Sequence, residues 1–307
     1  MEQRAYDQIA VLGLGLMGGS FAMAARQAGL ARFIVGFDPN REALVHAVST
    51  GMIEQAASDI RDAVADASLV VLAAPVRAIL DLLDLVTPHL SPGTLVLDFG
   101  STKRHIVARM NRLPDNVRAV GGHPMCGKEV AGLQHAEATL FANATFALCP
   151  TRLTDEQARL EAETVVRRLG AVPLWLPAEE HDALVAAVSH LPYLLSTALV
   201  HSALDTDDER AWRLAASGFR DTSRLAASDV RMMLDTLMTN QEAVVSALDR
   251  ATTLLAELAE ALRRQDEGAL SALLSKAAEL RRAWHAEKYP AHPTAPDSQK
   301  PSPDPTA

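Results

Sequence analysis

Cysteine is scarce in this 307-residue chain, with Cys126 and Cys149 as its only two. That excludes a disulfide framework, and their separation excludes a metal knuckle, so a reducing, cytoplasmic setting with no bound metal is expected. No run approaches the ~20 uninterrupted apolar residues that a bilayer span requires. The start, Met1-Glu2-Gln3-Arg4, also lacks the charged and apolar regions of a leader, so no membrane association is expected. Positive charge is in deficit as well. A net charge of -9 leaves no field for phosphate backbones and argues against a nucleic-acid partner. Lysine is confined to Lys103, Lys128, Lys276, Lys288 and Lys300, so a small anionic substrate must be held mostly by arginine.

Apolar residues make up 49% of the chain, enough for sizeable cores in two ordinary domains. Short apolar runs at 9–12, 33–37, 69–74, 94–99, 117–120 and 145–149 alternate with helix-like segments. That rhythm predicts a mostly parallel sheet with crossover helices. A last strand-like piece at 172–176 follows a helix around 156–169. From about Glu179 the texture changes to Ala- and Leu-rich segments of helical spacing at 182–204, 210–216, 220–227, 229–238, 241–263 and 267–287. The expected architecture is an α/β, Rossmann-type domain over 1–177 followed by an all-helical domain over 178–288. A tail over 289–307, dense in Pro, Ser, Thr and Asp, is expected to be disordered.

Gly13-Leu14-Gly15-Leu16-Met17-Gly18 follows the first strand directly and opens a helix. The first glycine permits a tight turn, the second lets the backbone approach a pyrophosphate, and the third allows close packing of helix on strand. Twenty residues after Gly18, Asp38 ends the second strand, where a carboxylate can accept both ribose hydroxyls of NAD and would repel a 2'-phosphate. Arg41, just beyond, is either a 2'-phosphate ligand or a solvated helix-start residue. Ala73-Ala74-Pro75 ends another strand and offers a small-residue wall for the cofactor, or is an ordinary strand end.

Gly121-Gly122-His123-Pro124 follows an apolar run, so His123 lies at the carboxyl end of a strand and faces the ligand crevice. A histidine there can take a proton from a substrate hydroxyl while a neighbouring cofactor takes a hydride. Ser101, in Asp98-Phe99-Gly100-Ser101-Thr102-Lys103, is placed either to bond into the same crevice or merely to cap the next helix. In Ser189-His190-Leu191-Pro192-Tyr193-Leu194-Leu195-Ser196, Ser189, Tyr193 and Ser196 share a helix face, and Pro192 strips the Val188 carbonyl of its usual donor. A pocket at a kink or a buried polar seam would both fit. In Gly218-Phe219-Arg220-Asp221-Thr222-Ser223-Arg224, Arg224 suits a bidentate carboxylate clamp, whereas Arg220 fits a surface ion pair with Asp221 better.

Together these motifs resemble the prephenate dehydrogenase family, with its arogenate and cyclohexadienyl dehydrogenase relatives, over roughly residues 8–285. The resemblance rests on the glycine fingerprint, Asp98 to Lys103, Gly122 to Met125, His181-Asp182, Ser189 to Pro192, and Gly218 to Arg224. It implies NAD-dependent oxidative decarboxylation of prephenate to 4-hydroxyphenylpyruvate in tyrosine biosynthesis, and a homodimer joined through the helical domain. It also implies His123 as the catalytic histidine, Ser101 as its orienting serine and Arg224 as the substrate-carboxylate arginine. Ser189, His190, Tyr193 and Gly218 are then expected around the substrate. Lys128 stands where a small hydroxyl residue is common and would add a second cation. Tyr193 replaces a frequent histidine, which leaves prephenate, arogenate or both as substrate. Met233 stands in place of a tryptophan found in some relatives. The short tail leaves no room for a carboxyl-terminal regulatory domain, so tyrosine inhibition is expected only at the active site. β-Hydroxyacid dehydrogenases, the nearest rivals, need a lysine on the helical domain, and no lysine occurs between Lys128 and Lys276. An NAD-sensing binding module is the rival from another class, distinguished by absence of turnover.

Overall fold

The computed structural model describes residues 6–128, 130–205, 208 and 210–289. Most of the expected tail, 290–307, and the amino-terminal segment 1–5 lie outside the described residues. Eight strands form one sheet: β1 (Tyr6–Leu12), β2 (Ala31–Phe37), β3 (Gln55–Ala56), β4 (Leu69–Leu72), β5 (Leu95–Asp98), β6 (Arg118–Pro124), β7 (Thr145–Pro150) and β8 (Val172–Trp175). Their order is β3-β2-β1-β4-β5-β6-β7-β8. Every pairing is parallel except that of β6 with β7. The mostly parallel, Rossmann-type sheet expected from the sequence is thus present. Every residue of β4 and β5 is buried, as a sheet covered on both faces demands.

The covering helices are α1 (Leu16–Gln27), α2 (Arg41–Ser49), α3 (Ile60–Val64), α4 (Val76–Val86), α5 (Arg104–Met110) and α6 (Glu156–Arg168). One core joins Val11, Phe21, Leu69, Val71 and Leu97, and another joins Leu12, Val70, Leu72, Ile79 and Val96 on the opposite face. Phe99, just past β5, packs edge-on against Phe21, Phe141 and Phe146 with ring centroids 5.5, 6.0 and 5.3 Å apart. These contacts anchor the start of the loop that carries Ser101.

Two elements differ from the sequence expectation. β3 is two exposed residues on the sheet edge, too short and too polar to carry an apolar pattern. β6 does not stop at Val120 but runs on through His123 to Pro124, paired with β7. Gly121 and Gly122 are therefore strand residues. A Cβ on Gly122 would come within 2.4 Å of the Asp98 carbonyl oxygen, so the glycine serves close strand packing instead of a turn.

Helices follow in a continuous run: α7 (Ala178–Val185), a π segment (Ala186–His190) and α8 (Leu191–Leu204). Within the π segment the Leu191 amide reaches the Ala186 carbonyl. The expected irregularity beside Pro192 is present, as a widened turn. The 27-residue run is long and apolar enough by length and composition to cross a membrane. Its His181, Asp182, His190 and Ser196 are buried, and they are taken up in the contacts described below. Then come α9 (Arg210–Leu214), α10 (Ser217–Ser223), a 3-10 turn (Arg224–Ala227), α11 (Val230–Thr239), α12 (Gln241–Arg263) and α13 (Glu267–Lys288).

Two compact units result, one up to Ala247 and one from Leu248. The first takes in α7 and α11 together with the sheet domain, to which polar contacts fasten them. Asp235 of α11 accepts the Arg77 amide at 3.0 Å and pairs with the Arg77 guanidinium at 3.0 Å. The Thr239 and Thr102 hydroxyls meet at 2.9 Å, both buried. In the second unit, the Asp266 side chain accepts the Ala269 amide at 2.9 Å and caps α13.

Candidate active site

At the carboxyl end of β1, Gly13 has φ +99 and the Ala73 carbonyl oxygen lies 2.4 Å from where its Cβ would stand, so only glycine fits. Gly18 is closed in the same way: its Cβ would stand 1.9 Å from the Gly13 carbonyl oxygen. Gly15 differs, with nothing within 4 Å of its Cβ position. That open face, at the amino terminus of α1, is the room a pyrophosphate needs. Asp38 accepts the Leu14 amide at 2.7 Å and the Asn40 amide at 2.8 Å, so the carboxylate is fixed to the glycine turn with further lone pairs to spare for ribose hydroxyls. Leu16 and Met17 open α1, and Pro75 caps α4 beside half-buried Ala74. Arg41 is the exposed first residue of α2. The residues present fit NAD.

His123 lies at the far end of β6, and Gly122 before it is gripped by a buried ion pair. Asp98, ending β5, accepts the Gly100 amide at 2.8 Å and the Gly122 amide at 3.0 Å. Lys103, wholly buried, donates to Asp98 and to the Gly122 carbonyl. The ring of His123 meets His181 of α7, Nδ1 to Nε2, at 2.9 Å. His181 Nδ1 in turn meets Asp182 Oδ1 at 2.8 Å. Asp182 also accepts the Lys103 amide at 2.7 Å and the Arg104 amide at 2.9 Å, so it caps α5 from outside. Asn240 completes the cluster by donating to the Asp182 carbonyl at 2.7 Å.

Burial, followed by the neighbouring His181 and the Lys103 ammonium, pushes the His123 imidazole well below its ordinary pKa and keeps it neutral at pH 7. Burial works against the charge of Asp182, but the hydrogen bonds from His181 and from the Arg104 and Lys103 amides outweigh it and hold the carboxyl below its ordinary value. Ser101 does not cap α5. The cap position is Lys103, without a side-chain bond, and no hydrogen bond engages the Ser101 hydroxyl among the described residues.

The expected substrate residues separate into two groups. Ser189 is exposed in the π segment, Tyr193 is half-buried on α8, and Gly218 stands in open space on α10. Arg224 opens the 3-10 turn, which Ser196 ties to α8 by accepting the Ala226 amide at 3.0 Å. Ser196 is thus a buried tether, not a companion of exposed Ser189. Two other expected substrate residues, His190 and Lys128, have contacts within the protein. His190 is 2% exposed and sits 3.3 Å from the Asn240 amide, a framework position, and burial lowers its pKa to about 4. Lys128 pairs with Glu137 at 2.8 Å and donates to the His135 carbonyl at 3.2 Å, so its charge is already matched by an acid. Arg220 pairs with Asp221 at 2.8 Å, the surface reading. Cys126 and Cys149 are both free thiols.

Lys103, His181, Asp182 and Asn240 were given no role by the sequence. The available signals were the neighbouring pair His181-Asp182, since an acid beside a histidine can fix its tautomer, and the Asp98 to Lys103 motif that ends in Lys103.

A glycine cradle for a dinucleotide and a neutral imidazole at the same crevice together serve hydride transfer, which puts the chain among the dinucleotide-dependent oxidoreductases. Residues 21–174 match the prephenate dehydrogenase nucleotide-binding domain, and residues 177–276 match the prephenate dehydrogenase dimerization domain. The chain belongs to the prephenate dehydrogenase family, and its cofactor is NAD. It is 34% identical over 247 residues to the prephenate dehydrogenase of Bacillus subtilis (strain 168), covering 79% of this chain and 67% of that one. The crystal structure of prephenate dehydrogenase from A. aeolicus in complex with hydroxyphenyl propionate and NAD+ aligns with a TM-score of 0.84 at 30% identity, covering 90% of this chain and 98% of that one. Synechocystis arogenate dehydrogenase aligns with a TM-score of 0.80 at 31% identity, covering 90% and 99%.

Proposed function

We propose that the chain converts prephenate to 4-hydroxyphenylpyruvate and carbon dioxide, a step of tyrosine biosynthesis, with residues 1–177 holding NAD and 178–288 completing the substrate site. The observation that carries this reading is a neutral His123 at the end of β6, on the sheet that bears the Gly15 cradle. The Gly13, Gly15 and Gly18 cradle and Asp38 would hold NAD, which would supply a hydride acceptor for the ring carbon that bears the hydroxyl. As that hydride leaves, the hydroxyl becomes strongly acidic, and His123 takes its proton. Ser101 orients the hydroxyl toward the imidazole. The bond to the ring carboxylate then breaks, its electron pair makes the ring aromatic, and His123 returns the proton to the phenolic oxygen. A cation gripping the departing carboxylate would oppose its loss, so Arg224 is assigned to the side-chain carboxylate, with Ser189, Tyr193 and Gly218 nearby. A substrate-bound structure with Arg224 on the ring carboxylate would refute that assignment.

Arogenate, alone or beside prephenate, is the second reading, favoured by the close alignment with the Synechocystis enzyme and by Tyr193, whose phenol contacts the substrate side chain differently from an imidazole. Steady-state kinetics with prephenate and arogenate, each paired with NAD and NADP, separates the readings. Prephenate with NAD is expected to give the highest kcat/KM, and no turnover with either substrate would refute both. His123→Asn is expected to cut turnover by about 10²- to 10⁴-fold while NAD still binds, the range for loss of a general base. A homodimer in a reducing cytoplasm is part of the proposal. Its support is the apolar surface left on α12 and α13, where Leu254, Leu255, Leu262, Leu274, Leu280 and Trp284 are exposed, together with the two free thiols. Light scattering that gives a monomer at working concentration would overturn the dimer.

A further inference from the structure

Proton positions in the cluster around His123 follow from donor counting. An ionised Asp182 can only accept, so its 2.8 Å contact puts a proton on His181 Nδ1. With that proton as the only one on the ring, Nε2 of His181 presents a lone pair. Across the 2.9 Å contact, the remaining proton must sit on His123 Nδ1. Nε2 of His123 is left bare, and among the described residues no hydrogen bond occupies it. A bare Nε2 is what a proton acceptor requires, and an imidazole free to choose its tautomer would hide it part of the time.

We propose that His181 and Asp182 are positioning residues that hold His123 as its Nδ1–H tautomer and share the positive charge when His123 Nε2 takes the substrate proton. This rests on the reading of His123 as the proton acceptor. In the step, the substrate O–H bond breaks and an N–H bond forms at His123 Nε2. The Nδ1 proton can then move to His181 Nε2, leaving the charge one ring nearer the Asp182 carboxylate, and the reverse shift restores the starting state. The same carboxylate accepts the Lys103 and Arg104 amides, so one side chain on α7 sets both the base and the turn that follows Ser101. The other titratable groups facing His123 are Lys103, from the turn before α5, and His190, from the π segment.

The test is a long-range ¹H–¹⁵N correlation spectrum of the full chain labelled at histidine nitrogen, with His123 assigned by its loss in His123→Asn. The expected wild-type state is Nδ1–H. In His181→Phe, His123 is expected to move to the Nε2–H form, and kcat to fall by about 10²-fold with the NAD Kd unchanged. His181→Gln, whose amide oxygen can again accept from His123 Nδ1, is expected to recover the Nδ1–H form and at least about tenfold in kcat. A wild-type His123 in the Nε2–H form overturns the proposal even if His181→Phe does not fold. So does an unchanged tautomer in His181→Phe, or a Gln variant no better than the Phe variant. Full turnover by His123→Asn would instead refute the general-base reading, while the spectra still judge the tautomer.

Discussion

Lys103→Met would remove the cation from an ion pair in which neither side chain is exposed, 0% for both partners. The methionine fills much of the same channel, so the loss is chiefly electrostatic. Asp98 keeps the Gly100 and Gly122 amides as donors, at 2.8 and 3.0 Å, but loses its countercharge in a place water does not reach. Breaking one side of such a pair costs about 3–5 kcal/mol. For a unit of this size that amounts to a fall in Tm of roughly 6–20 °C. Asp98→Asn in the same background removes the stranded charge. One of the two amides then lacks its acceptor, so the double variant should sit only about 1–3 kcal/mol below the parent. The assay is calorimetry of parent, both single variants and the double variant at one protein concentration, because assembly makes Tm concentration-dependent. Activity should fall as well at temperatures where the single variant stays folded, since Lys103 and Asp98 hold the residue before His123. A Lys103→Met Tm within about 2 °C of the parent, or a double variant no more stable than the single, would refute this account.

Gly18→Ala should prevent folding, because its Cβ would stand 1.9 Å from a backbone oxygen, whereas Gly15→Ala should leave Tm unchanged and weaken NAD by about tenfold; calorimetry and NAD titration check the pair. Burial keeps His190 neutral, with its pKa down at about 4 against an ordinary 6.5, so its contribution is complete above pH 6.5 and is lost as pH falls toward 4. That loss is about 3 kcal/mol, and urea melts across the interval should flatten in His190→Gln. Arg224→Lys should raise the substrate KM by about tenfold through loss of one charge-assisted hydrogen bond, and an unaltered KM would remove Arg224 from the substrate site.

The cofactor cradle was legible in the sequence because it is local: Gly13, Gly15 and Gly18 lie within one turn and Asp38 one strand away. The proton-handling cluster was not, since its contacts join residues 58 and 79 positions apart, and no spacing rule links His123 to His181 or Lys103 to Asp182. Gly121-Gly122 misled about the end of β6 because glycine signals a turn more often than a strand pressed against its neighbour. Lys128 and His190 were expected at the substrate through the family resemblance; Glu137 and Asn240, which engage them, become their neighbours only through folding. The polar contacts of Asp182, Asp235 and Thr239 that bind the helices after residue 177 to the sheet domain have no signature in hydrophobic periodicity.

The π segment between α7 and α8 fixes an angle. Each residue of an α-helix advances the side-chain direction by about 100°, so one extra residue in a turn offsets everything after it by that amount. Upstream, Asp182 faces α5 and the His181 ring; downstream, Ser196 faces the turn that carries Arg224. Winding 186–190 at ordinary pitch with all five residues kept would swing Ser196 about 100° away from Ala226. Both ends of the helix would keep their chemistry, and the rotational phase between them would be lost.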